Sequence, residues 1–151
     1  MRFRIFIPVA LFLLTLASCS QDLQTGLVVK KGLILDGNQL VPAKPNAGNG
    51  TLDVVYNKST KILTYTVKWN SLSGAPNAMH IHGSATAGFN AAIVQNITGY
   101  ATAASGTLTG TLLVDGMVIK EIDLLNGGYY FDIHTALNSA GGEIRGQITF
   151  E

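Results

Sequence analysis

The residues Lys61-Ile62-Leu63-Thr64-Tyr65-Thr66-Val67-Lys68-Trp69 place an apolar side chain at every second position, with Thr64, Thr66 and Lys68 between them. A repeat of two puts alternate side chains on opposite faces, so this segment is a strand with one face toward a core. The last segment, Glu143 to Phe150, alternates in the same way: Ile144, Ile148 and Phe150 share one face, and Glu143, Arg145, Gln147 and Thr149 the other. Turn signals recur at short intervals. Asn57-Lys58-Ser59-Thr60 is expected to join Thr51–Tyr56 to the strand after it as a hairpin, and Asp115-Gly116 to turn Thr107–Val114 back into a strand over Met117–Ile122. Pro42 to Gly50 reads as a loop. No window carries a convincing amphipathic helix; the Ala-rich stretch Ser84–Ala92 is broken by Gly88 and reads as a loop with at most one helical turn. The expected fold class is all-β, an antiparallel, Greek-key-like β-sandwich in a single domain.

The N-terminal segment belongs to a different kind of structure. Arg2 and Arg4 precede an apolar run from Ile5 to Leu14, and Leu16-Ala17-Ser18 leads into Cys19, the single cysteine of the chain. A basic stretch, a short apolar stretch and small residues before a cysteine are the pattern of a bacterial lipoprotein signal. The run is shorter than the roughly 20 residues that cross a bilayer, which argues against a transmembrane helix. Residues 1–18 are therefore expected to be removed, with diacylglycerol and a further acyl chain such as palmitate added at Cys19. Several chains hold a protein at a membrane where one would bind only marginally. Residues 19–25 form a short polar tether and 26–151 the domain. Ser20 after the cysteine points to an outer membrane under the enterobacterial sorting rule, which does not extend to every bacterial group.

Removing Arg2 and Arg4 takes the formal charge from +1 to −1, with the remaining basic residues scattered. Nothing in that distribution suits nucleic acid. With Cys19 carrying lipid no disulfide can form, so stability must come from packing and backbone pairing. A phosphate-binding loop and a nucleophile elbow are both lacking, so nucleotide chemistry and a serine triad have no support.

The three histidines lie in Met79-His80-Ile81-His82-Gly83 and Phe131-Asp132-Ile133-His134-Thr135. On a strand over 78–82, His80 and His82 face one way and Met79 and Ile81 the other, which is how a sheet offers two imidazoles to one ion. Asp132 and His134 share a face opposite Phe131 and Ile133. These residues define a candidate zinc or copper site with His80, His82 and His134 as ligands and Asp132, Glu143 and Arg145 tuning them. The competing expectation, which spacing alone favours, is that the histidines bond backbone or carboxylate groups and that Arg145 pairs with Asp132 or Glu143.

The same segments carry a resemblance. Gln39-Leu40-Val41-Pro42, Gly50-Thr51-Leu52, Met79-His80-Ile81-His82-Gly83, Tyr129 to Thr135 and Gly142-Glu143-Ile144-Arg145-Gly146-Gln147-Ile148 resemble the CHRD domain, repeated in animal chordin and found singly in bacterial secreted proteins. The resemblance covers roughly residues 26–150 and implies an immunoglobulin-sized all-β sandwich. This copy departs from the family at Ser84-Ala85 after His-Gly and at Phe131-Asp132, where Val-Asn is commoner. Chordin's growth-factor sequestration draws on other modules, so the resemblance implies no such activity here. A looser similarity to copper/zinc superoxide dismutase rests on its His-x-His pair and nearby Arg. A bimetallic site needs more imidazoles than this chain owns, and that enzyme's disulfide cannot form.

Two functions follow as expectations. The first is a noncatalytic, lipid-anchored module of the cell envelope that binds the membrane through Cys19 and meets an envelope protein or glycan with the loops Ser84–Gly99 and Pro42–Gly50. The alternative is a mononuclear zinc or copper protein with redox or metal-handling activity.

Overall fold

The computed structural model describes residues 26–45 and 47–151; the expected signal, the lipidated Cys19 and the tether lie outside them. Eight strands form one antiparallel sheet: β1 (Leu27–Asp36), β2 (Asn49–Asn57), β3 (Ile62–Asn70), β4 (Pro76–Gly83), β5 (Ile93–Asn96), β6 (Gly106–Leu113), β7 (Tyr129–Thr135) and β8 (Ile144–Ile148). Their spatial order is β5-β4-β7-β8-β1-β2-β3-β6. The sheet curls until its two edges approach, where Gln95 Nε2 on β5 donates to the Thr111 carbonyl on β6 at 3.0 Å. The result is an all-β, barrel-like sandwich in one domain, as the alternation implies.

Alternation sets the core. Leu63, Tyr65, Val67 and Trp69 of β3 point inward with Leu52, Val54 and Tyr56 of β2, against Met79 and Ile81 of β4 and Phe131 and Ile133 of β7. The Tyr65 and Phe131 rings meet edge to face across the interior, with centroids 5.7 Å apart, a geometry that suits the positive edge and negative face of aromatic rings. The β2–β3 hairpin forms as expected, with Asn57 paired to Ile62.

The hairpin expected at Asp115-Gly116 does not form. Asp115 Oδ1 accepts hydrogen bonds from the backbone N–H groups of Met117, Val118 and Ile119 at 2.9, 3.0 and 2.9 Å. Those donors are then unavailable to a ladder, and β6 instead pairs with β3 over its whole length. After this turn the chain forms α1 (Glu121–Leu125), a one-turn helix that the sequence did not announce. Ser84–Ala92 is a loop without a helical turn.

One face of β4, β7 and β8 looks into the core. The other face is polar; it is half-buried on β4 and fully buried on β7 and β8, where every residue from Tyr129 to Thr135 and from Ile144 to Ile148 is shielded from solvent. Segments 37–45, 84–92 and 136–142 fold over it. Asn90 Nδ2 donates to the Val41 carbonyl at 2.9 Å and Lys44 Nζ to the Ala140 carbonyl at 2.5 Å, tying the cover together.

Gly146 sits where β8 crosses β1, and a Cβ there would stand 2.7 Å from Leu35 Cγ and 2.8 Å from the Ile34 carbonyl oxygen. Gly146→Ala is expected to lose about 1–3 kcal/mol of stability, because a backbone oxygen cannot move aside. Gly74→Ala, with open space around the new Cβ, should change stability by less than about 0.5 kcal/mol. Urea midpoints of the two variants test the contrast; equal midpoints would show that β1 and β8 are not held at this separation.

Candidate metal centre

Antiparallel pairing of β4 with β7 sets Ala78 opposite His134 and His80 opposite Asp132. Residues of even number on both strands therefore share the covered polar face, and the two histidine motifs, far apart in sequence, become neighbours. His80, His82, Asp132 and His134 each offer one donor atom, and the four atoms lie within 4.8 Å of one another. Two ligands of one tetrahedral zinc at about 2.0–2.2 Å are separated by about 3.4 Å. Small side-chain rotations would close the cluster to that size.

Asp132 lies at the centre. Its Oδ1 accepts from His80 Nδ1 at 3.1 Å, and its Oδ2 lies 3.0 Å from both His134 Nε2 and His82 Nε2. The His82 contact is close but out of line for a hydrogen bond, so His82 Nε2 is a buried nitrogen with no hydrogen-bond partner. The opposite ring nitrogens have backbone partners. His82 Nδ1 lies 2.9 Å from the Ala91 carbonyl and His134 Nδ1 2.9 Å from the Ser139 carbonyl. A carbonyl can only accept, so each Nδ1 must carry the proton of its neutral imidazole. Both Nε2 atoms then present lone pairs to the same carboxylate oxygen.

Three groups of lone pairs aimed at one small volume repel unless something positive lies among them. Either protons on the imidazoles or a cation satisfies that demand. The titration shifts record the proton-filled case. Burial pushes the Asp132 carboxyl up, but the hydrogen bond from His134, the close approach of His82 and the charge of both imidazoles outweigh it and hold the group well below the usual carboxylate range. Burial also lowers His134, yet its bond to Asp132, the charge of Asp132 and the Ser139 carbonyl together raise it above the ordinary histidine value. His80 goes the other way, lowered by burial and by its two histidine neighbours despite the pull of Asp132.

Arg145 is almost fully buried and lines a cavity of about 190 Å³ with His82, Asp132 and His134. Its guanidinium stacks 3.5 Å from the centroid of the Tyr130 ring and donates to Gln147 Oε1 at 2.8 Å. It forms no ion pair with Asp132, which is taken by the histidines. Tyr130 in turn stacks on His82, with 4.7 Å between centroids and 3° between planes. Glu143 stands apart from the donor cluster: its carboxylate accepts from Ser73 N at 2.6 Å, Ser73 Oγ at 2.5 Å and Thr135 Oγ1 at 2.5 Å. Sequence reasoning did not single out Tyr130 as a site residue, although it shares the parity of Asp132 and His134 on β7.

The family model for the CHRD domain matches residues 32–148, more than half of the chain. The chain belongs to the CHRD domain family. The matched segment contains all four donors of the cluster and Arg145, so the site is built inside the CHRD domain. No curated protein and no solved structure matches the chain.

The folded pKa of His134 exceeds its unfolded value. Its stabilising contribution is therefore complete below about pH 6.5 and is lost as pH rises through the folded pKa. In metal-free protein, imidazole NMR resonances should titrate above the ordinary value for His134 and below it for His80. In Asp132→Asn the His134 titration should move down, and with it the stability difference between pH 6 and pH 8 should shrink. An unmoved His134 titration would show that Asp132 does not hold the proton on His134.

Proposed function

We propose that this CHRD domain holds one zinc or copper ion through His80, His82 and His134, with the Asp132 carboxylate completing the donor set, and that a lipid on Cys19 keeps it at a bacterial cell envelope. One observation carries the metal assignment: the Ala91 and Ser139 carbonyls fix the Nδ1–H tautomers of His82 and His134 and turn both Nε2 lone pairs toward Asp132. Metal-ligating histidines are oriented by this kind of bond from the nitrogen that does not ligate. Three imidazoles and one carboxylate suit borderline ions such as zinc and copper, and suit magnesium or calcium poorly. The nearby Arg145 gives an anion that enters the cavity a positive partner, so a small anionic co-ligand of the ion has a place to bind. The anchor rests on the residues before and including Cys19.

A chain that binds zinc or copper at this cluster should carry close to one ion per molecule. Its melting temperature should rise with added ion, since an ion at a hundred times its Kd adds about 2.7 kcal/mol to the folded state. His82→Ala and His134→Ala should each weaken binding by at least tenfold, while Lys68→Ala, on the exposed face of β3, should not. Metal analysis and calorimetric titration decide. No uptake, or uptake indifferent to both histidine variants, would leave the histidines as structural residues and return the function to a partner-binding module of the envelope. Intact mass of the membrane-extracted protein tests the anchor: acyl mass on a chain starting at Cys19 supports it, and an unmodified Cys19 overturns it.

A further inference from the structure

Of the eleven large apolar side chains exposed among the described residues, six (Leu27, Ile62, Leu113, Met117, Val118 and Ile122) lie at one end of the fold, while Phe89 and Leu137 stand singly in the loops over the polar face. Met117 is 82% exposed, and Leu113, Val118 and Ile122 are each at least 60% exposed. Pairing across β1, β2, β3 and β6 sets Leu27 opposite Asn57, Asn57 opposite Ile62 and Ile62 opposite Leu113. A row with three apolar members therefore borders the same end. Single exposed apolar residues are ordinary, but a contiguous group marks a surface that meets something.

This tip is braced. The three backbone bonds to Asp115 Oδ1 fix the turn so that Ile119 packs into the core while Met117 and Val118 point outward. Val114 N donates to the Lys61 carbonyl at 2.8 Å, and Lys61 Nζ pairs with Glu121 at 2.7 Å, which fastens the turn and α1 to the β2–β3 hairpin. The apolar side chains are thus displayed by a fixed scaffold.

The chain enters the fold at this same end. Gly26 accepts from Lys58 N in the β2–β3 turn at 2.8 Å, and Leu27 begins β1. Cys19 is seven residues before Gly26, a reach of at most about 25 Å when fully extended. A lipid on Cys19 would therefore keep this end within about 25 Å of a bilayer, nearer than the far ends of the strands need come.

We propose that the tip formed by Leu113, Met117, Val118 and Ile122 is a membrane-docking surface that lies on the lipid bilayer into which the Cys19 acyl chains insert. The proposal rests on the lipid anchor argued above and is independent of the metal site. Lys58, Lys61 and Lys120 at this end are balanced by Asp115, Glu121 and Asp123, so the contact is made by apolar insertion and needs no anionic lipid. Arg145, on the wall of the histidine cavity, lies opposite Asp36 in the β1–β8 ladder, at the other end of β1 from Leu27. Docking by the tip would leave that cavity toward the aqueous side.

The test uses the full lipidated chain, extracted from membranes and reconstituted into phosphatidylcholine vesicles. With Cys19 acylated, an introduced cysteine is the only free thiol, so Met117→Cys and, at the far end, Ala75→Cys can each carry an environment-sensitive fluorophore. The position-117 label should be quenched by nitroxide-bearing lipid and at least threefold less sensitive to aqueous iodide than the position-75 label. Adding Val118→Ser and Ile122→Ser should abolish the difference, with circular dichroism reporting that the fold is kept. Protein that floats with the vesicles while both labels respond equally to iodide overturns the docking surface and leaves the anchor standing. Protein that does not float overturns both. Shielding from iodide without quenching by lipid nitroxide would mean that a second copy or another protein covers the tip, which also overturns the proposal.

Discussion

A single buried carboxylate organises the polar side of this sandwich. Asp132 is nearly inaccessible to solvent and lies within about hydrogen-bond distance of all three histidines of the chain. An uncompensated carboxylate there would be costly, because low-dielectric surroundings do not replace the hydration it loses. Its neighbours must therefore supply positive charge, as protons on imidazole or as a metal ion. The loops over β4, β7 and β8 follow from the same need, since they exclude water and bring the Ala91 and Ser139 carbonyls that orient His82 and His134.

Burial of both faces of β7 and β8 changes what alternation means. In β3 the polar positions Thr64 and Lys68 face solvent, as the pattern implies. In β8 the polar positions Arg145 and Gln147 are as hidden as Ile144 and Ile148. Gln147 shows how the hidden amide is satisfied: its Nε2 donates to the Ala85 and Gly127 carbonyls at 2.9 and 2.7 Å, and its Oε1 accepts from Arg145. The side chains on this face hold the covering loops to the sheet, which makes the cavity a product of the fold and not an accident of the surface.

These differences explain what could be read from residues alone. Parity placed His80 with His82 and Asp132 with His134, and the β2–β3 hairpin followed from its turn. The proximity of the two histidine motifs depends on the β4–β7 register, which spacing within one strand does not encode. The orienting carbonyls of Ala91 and Ser139 were invisible because a backbone oxygen carries no residue identity. Strand β1 escaped because its pairing with β2 shifts register between Lys30 and Leu33, where Gly32 adopts a positive φ of 70°; the bulge breaks the period-two pattern. Asp115-Gly116 misled because a carboxylate that captures three successive N–H groups competes directly with the ladder those groups would have joined.

Under the proposed function, protons and a metal ion would compete for the same volume between His82, His134 and Asp132, which would make the two states of the site mutually exclusive. Where the imidazoles are protonated, Asp132 is neutralised by them and the Nε2 lone pairs are gone. An ion would use those lone pairs and would have to overcome the raised affinity of His134 for its proton. The network that stabilises the protein at mildly acidic pH would therefore oppose metal entry there. Asp132 draws both, so strengthening its charge would deepen the two states together without choosing between them. Nor do the carbonyl bonds of Ala91 and Ser139 choose, since they would persist whether the inward-facing nitrogens carried protons or held an ion; they keep both rings oriented for either, and the choice would fall to pH and the concentration of the ion.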